Sequence, residues 1–159
     1  MFSLFLPLIS IIVPAIAQAA SLVIHIQDYR HFGVSVYIAI YTVKDGGSWS
    51  DEPIRLLQSP LAAGDEMQLD TDLPPGRYAM RAFVDLNGNG ELDVGAFGKP
   101  KEPFAFSRLN GAADSLRFKA AAVDVGDKGE LVLRFLHPKE STKNIAKGAA
   151  ATEARSTEP

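Results

Sequence analysis

Asp85-Leu86-Asn87-Gly88-Asn89-Gly90-Glu91-Leu92-Asp93 is the stretch of this chain whose residue types and spacing could do chemistry. Calcium takes about 6–8 hard oxygen ligands from carboxylates, amides, backbone carbonyls and water. Asp85, Asn87, Asn89 and Asp93 fall at positions 1, 3, 5 and 9 of a D-x-N-x-N-G-x-x-D loop, and Glu91 at position 7 can offer its backbone carbonyl. Gly90 supplies the sharp turn and Leu92 an anchor to a core. Position 12, where a helix-loop-helix site needs a bidentate glutamate, is Ala96, and an apolar strand rather than a helix leads in. The expectation is therefore a strand-derived calcium loop that borrows further oxygens, from Glu102 first and Asp114 next. With few formal charges in the ligand set, its Kd is expected on the order of 0.1–1 mM. The competing reading is a turn without metal, because Asn87-Gly88 and Asn89-Gly90 each carry a strong hairpin signal.

The segment after the loop, Phe97 to Ser107, concentrates aromatic and basic residues. Phe97, Lys99, Lys101, Phe104 and Phe106 form a candidate recognition surface beside the ion. The alternative is that the phenylalanines tuck under the loop and hold it to the core. Catalytic candidates are thin. His25 belongs to a strand, His31 to a loop and His137 to the start of the tail, and the chain has no cysteine, no G-x-S-x-G and no H-E-x-x-H. No enzyme is expected. Trp49 reads as an edge-strand cover rather than a sugar platform, because no second aromatic adjoins it in sequence.

The elements that must position these residues are strands. Apolar and polar residues alternate through Leu22–Ile26, Val34–Tyr41, Met67–Leu73, Tyr78–Val84 and Leu131–Phe135, with a weaker segment at Arg55–Leu61 and a further strand expected over Ser115–Val123. About seven antiparallel strands with one polar face predict an all-β fold, a Greek-key sandwich of immunoglobulin or transthyretin type. Leu73-Pro74-Pro75-Gly76-Arg77-Tyr78 has the form of a tyrosine corner, in which the tyrosine hydroxyl bonds back to nearby backbone at an arch between sheets. The connection 85–113 is far longer than the roughly 12–15 residues usual for a structureless loop, which marks it as functional or internally organised.

Residues 1–19 read as a signal peptide ending in Ala17-Gln18-Ala19, although no Lys or Arg precedes Arg30. Cleavage would leave one domain over 20–136 and no membrane span, in the periplasm or outside the cell. Residues 137–159 are too polar to bury a core and are expected to be a disordered tail. The net charge of −3 and the lack of a basic patch argue against nucleic acid.

Four motif pieces, Gly76-x-Tyr78-Ala79, Asp85-x-Asn87-Gly88-Asn89-Gly90-x-Leu92-Asp93, Phe97-Gly98-x-Pro100-Lys101-Glu102 and Phe106-Ser107, resemble the bacterial domain-of-unknown-function family 2141. The resemblance implies a small exported β-sandwich and carries no established activity. It departs from the family at Val84, where a histidine is common, and at Pro103-Phe104-Ala105-Phe106-Ser107, where a Gly-Tyr-Gly-Phe-Ser run is common. Together these readings predict an exported, non-enzymatic binding or accessory domain of the cell envelope. A calcium-stabilised loop would present its recognition surface to an envelope protein, a peptide or a glycan. The alternatives are a purely structural domain and, more remotely, a hydrolase using the loop carboxylates.

Overall fold

A computed structural model describes residues 20–64, 66–108 and 117–138. The expected signal peptide, Asp114, the start of the expected strand at Ser115 and the tail beyond Pro138 lie outside them, as does the side chain of Phe97. Among the described residues there are eight strands: β1 (Ala20–Gln27), β2 (Ser35–Thr42), β3 (Arg55–Pro60), β4 (Glu66–Leu73), β5 (Gly76–Asp85), β6 (Phe104–Phe106), β7 (Val123–Val125) and β8 (Lys128–Arg134). Two short 3-10 helices, Ala96–Gly98 and Phe118–Ala121, are the only helical turns among the described residues. The expected strand over Ser115–Val123 is therefore replaced, within the described part, by a 3-10 turn and the short β7.

The strands form two sheets, one ordered β4-β1-β8 and one ordered β3-β2-β5-β6, with β7 also on β5. Alternation decides which face each strand buries. Leu22, Ile24 and Ile26 of β1 and Leu73 of β4 meet Val36, Ile38 and Ile40 of β2 and Met80, Ala82 and Val84 of β5 in one core. Each of these side chains larger than Ala82 contributes about 1.5–3 kcal/mol by leaving water. Tyr29, fully buried, closes one end and donates its hydroxyl to the Ala62 carbonyl at 3.0 Å.

Two features of the pairing differ from an all-antiparallel sandwich. β1 pairs antiparallel with β4 but parallel with β8, with Ile24 beside Leu131. The outer edge of β5 is shared: β6 pairs with Arg81–Phe83 and β7 with Gly76–Tyr78. Ser107 bridges the gap, giving its N–H to the Met80 carbonyl and its hydroxyl to the Ala121 carbonyl, while its Oγ accepts the Met80 N–H. Residues 85–113 are thus not a single open connection. Asp85 to Phe104 is a long hairpin that returns to β5, with Val84 N–H bonded to the Pro103 carbonyl at 2.9 Å.

β4 and β5 lie in different sheets, so Pro74-Pro75 is an arch over the core. Tyr78, which is buried, donates its hydroxyl to the Pro74 carbonyl at 2.7 Å, the bond expected of a tyrosine corner. No helix among the described residues is long and apolar enough to cross a membrane.

Candidate functional site: an aromatic groove and its rim loop

The hairpin 85–104 is built on two buried carboxylates. Asp85 and Glu102 are each only 3% exposed. Asp85 Oδ1 accepts the backbone N–H groups of Gly88 (2.8 Å) and Asn89 (3.2 Å), and Oδ2 accepts that of Gly90 (2.8 Å). Glu102 Oε1 accepts the Leu86 N–H at 2.8 Å and Oε2 the Asp93 N–H at 3.1 Å. A carboxylate withdrawn from water needs such donors, and a loop this tight has amides that no strand partner can satisfy. The local sequence supplies the geometry. Gly88 and Gly90 both sit at φ 77, where a side chain would be strained. Asn87 and Asn89 each accept the N–H two residues on, at 3.1 and 2.9 Å.

The expected ion ligands are thus placed as follows. Asp85, Asn87, Asn89 and Asp93 share one turn, with Asn87 Nδ2 donating to Asp93 Oδ2 at 2.7 Å, and Glu102 lies beneath it. Glu91 is exposed. Among the described residues no group of three or more acidic or histidine side chains converges as a metal cluster. Both oxygens of Asp85 and both of Glu102 are already used by the loop's own amides.

Beside this loop, the outer face of the five-stranded sheet carries a groove of about 720 Å3. Its floor comes from the residues that alternation turns away from the core. Tyr37 of β2 stacks on Phe83 of β5, with centroids 5.1 Å apart and planes 8° from parallel. Trp49, from the β2–β3 connection, meets Tyr41 edge-on at 5.4 Å and lies 5.4 Å from Phe106. Phe104 and Phe106 of β6 are T-shaped at 5.9 Å. Gly90, Glu91 and Leu92 form the rim at the loop end, and Leu56 of β3, 70% exposed, forms the opposite wall. Phe118 supports Trp49 from behind, at 5.0 Å.

The groove takes in part of the surface expected from sequence. Phe104 and Phe106 line the groove, whereas Lys99 and Lys101 are exposed and do not. Trp49 is not an isolated edge cover, since Tyr41, Phe106 and Phe118 surround it. Tyr37, Arg81 and Phe83 were missed as site residues. Their signal was the outward register of β2 and β5, where aromatic residues occupy the face that alternation leaves polar in most half-exposed sheets. None of the three histidines lines the groove. His25 lies on the other sheet, within 3.4 Å of Glu66 and 3.9 Å of Glu130.

Residues 24–132 match the family model described as "Uncharacterized protein conserved in bacteria (DUF2141)". No curated protein and no solved structure gives a significant match to the chain.

Proposed function

The chain belongs to this bacterial family, and from that premise we propose that it is an exported, non-enzymatic binding domain of the cell envelope that takes its ligand in the aromatic groove. The observation that carries this reading is the groove itself. A concave, largely apolar surface with a few polar groups at its edge is the usual form of a small-ligand site, and its volume falls within the roughly 300–1,000 Å3 such sites occupy. Tyr37, Trp49, Phe83 and Phe106 are each half-buried there and Leu56 is exposed, so apolar area is left open along the groove. Export rests on the apolar leader at 1–19. The sandwich is read as Greek-key and immunoglobulin- or transthyretin-like, supported by the Tyr78 corner and by crossings between sheets at β1–β2, β3–β4, β4–β5 and β7–β8.

The rim loop has the supporting role. Asp85 and Glu102 hold its frame through backbone amides. Calcium is the ion proposed for it, on the spacing of Asp85, Asn87, Asn89, Glu91 and Asp93. To bind, it would draw on Asn87, Asn89 and Asp93 and share Asp85 with the amides.

Two measurements test the reading. Trp49 is the sole tryptophan and lies in the groove, so energy transfer from it to a neutral apolar probe, pyrenebutanol, reports occupancy. Saturable one-site transfer, abolished by Phe83→Asp, is expected, and no transfer at any probe concentration would end the binding reading. A thermal melt with EDTA and then with millimolar calcium or magnesium tests the ion. A calcium-specific rise of several degrees, absent in Asp93→Ala, is expected; identical melts would remove calcium and leave a loop closed by its own amides.

A further inference from the structure

We infer that the ligand of this groove is an amphiphilic monocarboxylate, a flat apolar body carrying one carboxylate that Arg81 receives. The inference rests on the binding reading above and adds the chemical class of the ligand. Arg81 leaves β5 on the outer face, and its guanidinium lies 5.2 Å from the centroid of Tyr41 and 5.7 Å from that of Trp49. Two ring faces fix the orientation of the cation by attraction to their quadrupoles. They satisfy none of its N–H donors, and guanidinium has five and no acceptor.

No carboxylate among the described residues pairs with Arg81; the ion pairs belong to other side chains. Of the two acids that line the groove, Asp51 and Glu91, Asp51 spends its carboxylate on Ser48, accepting the backbone N–H at 3.2 Å and the hydroxyl at 3.4 Å. Arg81 is also the only cation among the residues lining the groove. An oriented planar fork with unfilled donors matches a carboxylate, which can accept two parallel N–H bonds. Arg81 is exposed, so a carboxylate can reach its donors from solvent.

The rest of the groove describes the rest of the ligand. The near-parallel Tyr37–Phe83 pair, the half-buried Phe106 and the exposed Leu56 offer apolar area and almost no donors. That suits a flat hydrocarbon or ring body rather than a hydroxyl-rich one, whose polar groups would be desolvated without partners. Asp51 and Glu91 on the rim would repel a second negative charge, which limits the ligand to one.

The test compares pyrenebutyrate with pyrenebutanol, identical apolar bodies with and without the charge, by energy transfer from Trp49 in the full chain. The carboxylate is expected to bind about tenfold tighter or more, the ratio for a charge-assisted hydrogen bond. Arg81→Gln should weaken the carboxylate far more than the alcohol and so erase that ratio, and Arg81→Lys should retain part of it. If Arg81→Gln fails to melt cooperatively, salt dependence of the unaltered protein decides instead: the carboxylate's advantage must shrink with ionic strength while the alcohol's affinity holds. Equal affinities for the two probes would overturn the carboxylate assignment and leave the groove as a binding site. Absence of transfer from either probe would remove both readings together.

Discussion

Glu102 carries more of this structure than its place in the sequence suggests. Its two oxygens bind amides at both ends of the rim loop, Leu86 and Asp93, from a site that is almost closed to water. Replacing it by glutamine turns one acceptor into a donor facing an N–H. Glu102→Gln is expected to cost about 1–3 kcal/mol, the range for a buried group left unsatisfied. Tyr78→Phe removes one hydroxyl bond at the corner, where the Pro74 residue is exposed, and is expected to cost nearer 1 kcal/mol. Equilibrium urea unfolding of both variants checks the order, and a smaller loss for Glu102→Gln would show that the loop frame does not depend on it. The sequence pointed to Glu102 as a spare carboxylate near the loop. It could not show that backbone amides bond to both of its oxygens, because that depends on where the chain returns after Asp93.

The groove depends on a small element, the 3-10 turn Phe118–Ala121. Phe118 is buried against Tyr41 at 6.0 Å and Trp49 at 5.0 Å, forming with Ala79 and Ala121 a second apolar cluster on the outer face of the sheet. Phe118→Ala is expected to cost about 3 kcal/mol, in the range for losing a large aromatic from a packed site, and to shift Trp49 emission to the red. A loss of stability with unchanged emission would mean that Trp49 is held by its other neighbours. Alternation misread this element: Leu116 and Phe118 alternate with Arg117 and Lys119 as a strand would. The edge of β5 beside it is divided between β6 and β7, and a segment without a strand partner cannot satisfy its amides as a strand.

Across the whole molecule, β8 is the closing piece. It lies beside β1 in parallel, and Leu133 and Phe135 are buried in the common core. Its link to β7, Gly126-Asp127, crosses from one sheet to the other instead of forming a hairpin. A chain ending at Gly126 is expected to lose its cooperative thermal transition, as seen by circular dichroism, since β1 would expose an unpaired edge and the core would lose Leu133 and Phe135. A retained cooperative melt would show that β1 through β7 suffice. The antiparallel expectation failed at this strand because alternation assigns a residue to a face and says nothing of which strand lies alongside.

By itself the sequence determined the all-β class, the inward face of most strands, the tyrosine corner and the turn over 85–93, all of them set by contacts between residues near one another along the chain. Only the tertiary structure decided the parallel β1–β8 pair, the division of the β5 edge, the use of Asp85 and Glu102 by backbone amides, and the groove. Trp49, Arg81, Phe83 and Phe106 are spread over three separate segments, and pairing across β2, β5 and β6 is what lays them side by side. Such pairing is settled by the packing of the whole core, which no local pattern records.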